Sequence, residues 1–149
     1  MKLEQEILSN KFESSYHKSA VNIIYTYNWL TNKFRQRLNL HAITLQQYNV
    51  LRILRGQFPN PATVNLLRER MLDRMCDASR IVDRLVQKEL VTRSTNSKDR
   101  RAVDIVISTK GMDLLLMLDD KMTAADFLKD HFTEDEAALL SDLLDRFRG

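Results

Sequence analysis

The sequence predicts a mainly α fold that carries one small β-hairpin. Three observations predict it. Three Gly and two Pro in 149 residues leave little to interrupt long helices. Apolar residues recur at helical spacing through most of the chain. Two stretches rich in β-branched residues, Val91–Thr95 and Val103–Ile107, flank the polar connection Asn96-Ser97-Lys98-Asp99-Arg100-Arg101-Ala102. That pattern is two strands joined by a basic turn.

The elements follow in order. Residues 3–38 read as one long helix, with Val21, Ile24, Tyr25 and Asn28 on one stripe and Ile23, Tyr27, Leu30, Phe34 and Leu38 on another. A helix apolar around so much of its surface needs more than one partner. Leu3, Ile7 and Leu8 extend the pattern to the N-terminus, which points to a second copy of the chain as their cover. Thr44-Leu45-Gln46-Gln47 is a capping box, and the helix it opens runs to about Arg55, with Gly56 as its expected end. Asn60-Pro61 reads as a cap followed by Pro at the first position of a third helix, which turns Val64, Leu67 and Met71 inward. Asp73 is the expected N-cap of the fourth helix, which ends near Leu90. Its Ala78, Ile81, Val82 and Leu85 share one face, while Asp77, Arg80, Arg84 and Gln87 or Lys88 share the other. After the hairpin, Ser108 or Thr109 caps a fifth helix with Met112, Leu115, Leu116, Leu118 and Met122 apolar, continued by Phe127 and Leu128. A second capping box, Thr133-Glu134-Asp135-Glu136, opens the last helix, whose stripe is Leu139, Leu140, Leu143, Leu144 and Phe147.

An apolar content of 44% and a charged content of 29% are those of a globular domain, and this length builds a real core. Charge is unevenly placed. Residues 68–101 hold ten Arg or Lys against six Asp or Glu, a net +4, whereas residues 113–149 are net −6 and residues 1–67 net +5. A basic segment followed by acidic C-terminal helices is an electrostatic footprint for nucleic acid. The single Cys76 excludes an internal disulfide and a cysteine zinc site, and it suits a reducing cytoplasm. Packed as a small apolar side chain, Cys76 is expected to be buried and inert. No apolar run reaches membrane-span length, and the N-terminus carries no secretory apolar stretch. His17, His41 and His131 stand on three separate segments and make no metal site. Gly-rich phosphate loops and Gly-x-Ser-x-Gly elbows are absent, so neither an enzyme nor a cofactor is expected.

The fourth helix and the hairpin carry the chemistry. A helix with guanidinium groups and short polar side chains on one face fits the major groove, where Arg reads guanine edges. Arg74, Asp77, Ser79, Arg80 and Arg84 are the candidates there. Arg84 has a second reading, as an ion-pair partner of Asp83 or Asp99. At the hairpin tip Lys98, Arg100 and Arg101 can reach phosphates or a narrow minor groove, with Asp99 orienting one of them.

Taken together, Arg80-Ile81-Val82-Asp83-Arg84-Leu85, Lys88-Glu89-Leu90-Val91, Lys98-Asp99-Arg100-Arg101-Ala102-Val103 and Ser108-Thr109-Lys110-Gly111 resemble the MarR family of winged helix-turn-helix regulators. The resemblance implies that residues 44–107 form the winged helix-turn-helix and that 1–38 and 109–149 supply helices for a homodimer. It matches Arg101 to the wing Arg of the minor groove and Asp99 to its supporting carboxylate. It implies a transcriptional repressor on palindromic double-stranded DNA, modulated by a small aromatic or amphipathic effector. Tyr25, Trp29, Phe34 and His41, with Met112, are the candidate effector pocket, and core packing accounts for the same aromatics. The family usually has Gly where this chain has Glu89, so Glu89 is expected to leave the helix by another route. A protein–protein adaptor and a non-specific nucleic-acid binder remain the rival readings.

Overall fold

In the computed structural model, which describes residues 1–96, 102–119 and 124–149, helices dominate and a single hairpin supplies the strands. The predicted fold class is the one observed. Two compact units divide the chain, Met1–Tyr48 and Asn49–Gly149.

The first unit holds a short helix α1 (Leu3–Glu6), a long helix α2 (Ser15–Asn39) and the start of α3 (Leu45–Gln57). Residues 3–38 are therefore not one helix. Ser14 is the reason: its extended backbone and its side chain, which accepts from His17 N, start α2 afresh. Leu8, at φ 53°, turns the chain out of α1. α1 is tied to α2 by an ion pair between Glu4 and Lys18 and by Tyr25, whose hydroxyl donates to Glu6 Oε2 at 2.8 Å. Leu3 is buried within the chain itself and needs no second copy to cover it, whereas Ile7 is half-buried and Leu8 is exposed. Thr31, Phe34 and Leu38 are the buried face of α2. Thr44 and Gln47 form the predicted capping box, with Thr44 N donating to Gln47 Oε1 at 3.1 Å and Gln47 N to Thr44 Oγ1 at 3.2 Å.

The second unit begins inside α3. Gly56 does not end that helix, which runs one residue further and stops before the cis Phe58–Pro59 bond. Asn60-Pro61 does not open the next helix either. Ala62 exchanges both backbone hydrogen bonds with Ile105, each 2.9 Å, and Thr63 caps α4 (Val64–Arg70) by accepting from Leu66 N at 3.2 Å. The chain must stay extended to pair with Ile105, so the helix starts only after that pairing. α5 (Ala78–Gln87) follows, then the antiparallel strands β1 (Val91–Thr95) and β2 (Val103–Ile107), registered with Val91 opposite Ile107 and Thr95 opposite Val103. Both strands have the predicted bounds. α4 packs on α5, and α5 on β1. Leu51, Leu54, Leu67, Val82, Leu85, Ile105, Leu115 and Leu118 form the buried centre of this unit.

α6 (Thr109–Asp119) buries Leu115 and Leu118 but turns Leu116 and Met117 to solvent, so Leu116 is not part of the inward face as expected. Met122 lies outside the described residues, and Phe127 belongs to a separate 3-10 turn, 124–127. α6 is joined to α3 by Asp119, which accepts from both guanidinium nitrogens of Arg55 at 2.6 and 3.0 Å. α7 (Glu134–Arg148) starts at the predicted capping box, Thr133 with Glu136, yet none of its residues is buried. Among the described residues no helix is long and apolar enough to cross a membrane.

Candidate nucleic-acid interface

The candidate interface is built on α5 and the turn that leads into it. That turn is held by short polar side chains. Asp73 is not the N-cap predicted for the helix; it accepts from Met75 N at 3.1 Å and from the Cys76 thiol at 2.8 Å, closing a turn. Asp77 caps α5 instead, accepting from Arg80 N at 3.1 Å. A carboxylate there also complements the positive end of the helix dipole. Cys76 is half-buried, more open than the buried side chain expected.

Burial sorts the helix into two faces. Ala78, Val82 and Leu85 are buried, which fixes α5 against the core. Ser79, Arg80 and Arg84 are exposed, as are Arg74 and Asp77 in the turn. The five predicted residues of this segment are therefore all exposed. Among the described residues Asp83 pairs with Arg93 of β1 at 2.7 Å rather than with Arg84. Sequence reasoning missed this tie between α5 and the hairpin. The signal for it is opposite charge, Asp83 being the one carboxylate within α5 and Arg93 the one cation of β1. Lys98, Asp99, Arg100 and Arg101 lie outside the described residues.

The far end of α5 corrects the sequence reading at Glu89. This residue takes φ 62°, the left-handed conformation that Gly adopts without strain. Leu90 N donates to Leu85 O at 3.0 Å and Glu89 N to Val86 O at 2.9 Å, the two bonds of a Schellman ending. Glu89 thus leaves the helix by the same route as Gly. Two hydrogen bonds and the burial of Leu85 and Leu90 offset the backbone strain. The start of α6 fastens onto this ending. Ser108 Oγ donates to Glu89 O at 2.7 Å and accepts from Gly111 N at 3.0 Å, while Ser108 N donates to Leu90 O at 3.1 Å. Lys110 pairs with Glu89 at 2.9 Å, and that hydrogen bond holds the Glu89 carboxyl below the usual carboxylate range. Gly111 is required here, because a Cβ would stand 2.3 Å from Leu90 O.

The candidate effector residues are not all brought together. Tyr25 and Trp29 line a crevice of about 330 Å³ on α2 with Asn28, Asn32, Lys33 and Gln36. Lys33 Nζ lies 5.6 Å from the Trp29 ring centre. The Glu6 carboxylate that accepts from Tyr25 raises its phenol pKa. Phe34 is buried and does not line the crevice, His41 is half-buried beyond the end of α2, and Met112 belongs to α6 in the second unit.

Residues 43–103 match the MarR family model. A MarR transcription factor from Planctomyces limnophilus is 25% identical, with 91% of this chain and 98% of that one covered at a TM-score of 0.69. The S. aureus MepR–DNA complex is 21% identical, with 92% and 97% covered at a TM-score of 0.76. Bordetella bronchiseptica BpsR, described for the regulation of its DNA binding by 6-hydroxynicotinic acid, is 19% identical, with 89% and 99% covered at a TM-score of 0.70. No curated protein is significantly similar to the chain.

Proposed function

We propose, from the match of residues 43–103 to the MarR family model, that the chain is a MarR family protein and a sequence-specific DNA-binding regulator of transcription. The observation that carries the reading is the outward face of α5. Ser79, Arg80 and Arg84 stand exposed on a helix whose other face is anchored in the core. Such a helix enters the major groove with its N-terminal residues toward the base edges. Arg74 adds a cation at the entering end, and Lys98, Arg100 and Arg101 of the wing reach the flanking backbone or minor groove, with Asp99 as orienter.

The working form is a homodimer. Leu139, Leu140, Leu143 and Phe147 of α7 are all exposed in the single chain, a continuous apolar stripe that a second copy would cover. Two-fold symmetry presents two α5 helices to a palindrome with half-sites about one helical turn apart. Occupation of such a site within a promoter represses transcription. A small aromatic effector that binds one dimer geometry better than the other shifts DNA affinity, as 6-hydroxynicotinic acid regulates DNA binding by BpsR.

Selection of bound duplexes from a random pool at about 0.15 M salt, where surface charges are partly screened, tests the reading. The expected result is a palindromic motif. Recovery of no motif by folded, dimeric protein refutes it and favours an adaptor. On the recovered site, Arg80→Ala, Arg84→Ala and Arg101→Ala each weaken binding. Removing a phosphate contact flattens the dependence of log K on log salt by about 0.9, whereas removing a base contact relaxes preference at one position by about 1–3 kcal/mol.

A further inference from the structure

The turn before the recognition helix displays two large apolar side chains that the fold does not use. Leu72 is 89% and Met75 95% exposed. Their backbone is nonetheless pinned. Leu72 N donates to Asn49 Oδ1 of α3 at 3.0 Å, Met75 N to Asp73 Oδ1 at 3.1 Å, and Arg80 N to Asp77 Oδ1 at 3.1 Å. Met75 is thus held outward by an ordered turn, two residues ahead of the helix cap and next to Arg74. An apolar side chain fixed in water gains nothing for its own fold.

We propose that Met75 is a specificity-determining residue that contacts the C5-methyl group of thymine in the major groove and selects thymine at one position of each half-site. The inference rests on the DNA-binding reading above and adds a base-reading group to it. The residues at the entering end of a recognition helix are those that meet base edges. The thymine methyl is the one apolar feature that those edges present. A thioether on an unbranched, flexible stem moulds onto such a group better than a branched side chain does. Charge selects the partner class. Arg74 precedes Met75, Arg80 and Arg84 are exposed on the helix that follows, and residues 68–101 are net positive, so a polyanion rather than an apolar protein face fits here.

The test replaces thymine by deoxyuridine, one position at a time, in the duplex selected by the wild-type protein. Deoxyuridine keeps every hydrogen-bonding group and removes only the methyl. Loss of one buried methyl corresponds to about a fourfold fall in affinity. The expected result is one such position per half-site for the wild type, with no response at that position for Met75→Ala or Met75→Gln. Both variants should keep the wild-type far-UV circular dichroism, because the side chain is exposed. Equal deoxyuridine profiles for wild type and variants, or no sensitive position at all, overturn the proposal and leave the DNA-binding reading intact. Failure of the wild type to bind any duplex overturns both.

Discussion

Replacing Gly111 by Ala adds one methyl group where the chain has no room for it. The added Cβ would lie 2.3 Å from Leu90 O and 2.8 Å from Ile107 Cγ1. The nearer neighbour is backbone and cannot rotate away. Restoring an ordinary contact distance needs a movement of about 1 Å. The start of α6 cannot move that far while Ser108 N stays bonded to Leu90 O and Ser108 Oγ bridges Glu89 O and Gly111 N. Overpacking of this kind costs about 1–3 kcal/mol, and weakening one of those bonds about 1 kcal/mol more. Ala is the better helix former by about 1 kcal/mol, which offsets part of the loss. Net destabilisation is therefore about 1–3 kcal/mol. In urea, at a denaturant slope of about 2 kcal/mol per molar, the midpoint falls by about 0.5–1.5 M. The measurement is far-UV circular dichroism against urea, at one fixed protein concentration for wild type and variant. A midpoint equal to or above wild type would refute the close approach and the role given to Gly111.

Three further outcomes follow from the same structure. Glu89→Gly releases the left-handed backbone strain while losing the Lys110 pair, so its unfolding temperature should rise slightly; a clear fall would mean that the side chain matters more than the backbone. Arg55→Met removes the partner that holds the Asp119 carboxyl below its ordinary value. A depressed carboxyl stabilises the fold above its unfolded pKa and loses that contribution as pH falls through the folded value. The stability gap between wild type and Arg55→Met should thus be constant near neutral pH and shrink below about pH 4; urea midpoints across pH 3–7, if they keep a constant gap, exclude the pair as its source. Leu139→Glu combined with Leu143→Glu places charge on the exposed stripe of α7 and should yield a folded monomer in sedimentation; an unchanged dimer would move the interface elsewhere.

Where local chemistry decides the structure, the sequence is legible. Both strands begin and end at the predicted residues, since a run of β-branched residues against a polar turn has few alternatives. Thr44 with Gln47, and Thr133 with Glu136, cap as their spacing requires. Expectation and structure part where two local signals compete. Asp73 and Asp77 are equally good caps on paper; the chain uses the first to close a turn and the second to start α5. Ser14 is a usable cap signal, masked by the apolar pattern on either side of it. Ala62 pairs with Ile105 through a single residue, which leaves no periodicity to read. At Glu89 a preference for Gly is not a requirement, because the strain of one left-handed residue is small enough for neighbouring hydrogen bonds and burial to offset. The exposed Arg face of α5 is readable because its buried counterpart, Ala78, Val82 and Leu85, keeps helical spacing.

The junction of α5 with α6 carries a mechanical consequence. Leu85 O, Val86 O, Glu89 O and Leu90 O accept bonds within a few residues of one another, and Ser108 supplies two of the donors. With Gly111 packed against the same carbonyl, the start of α6 has no slack relative to the end of α5. A displacement of the start of α6 is therefore delivered to the end of α5 through these bonds, because tightly packed contacts transmit displacement rather than absorb it. The two helices act as the arms of one crank whose pivot is a serine and a glycine.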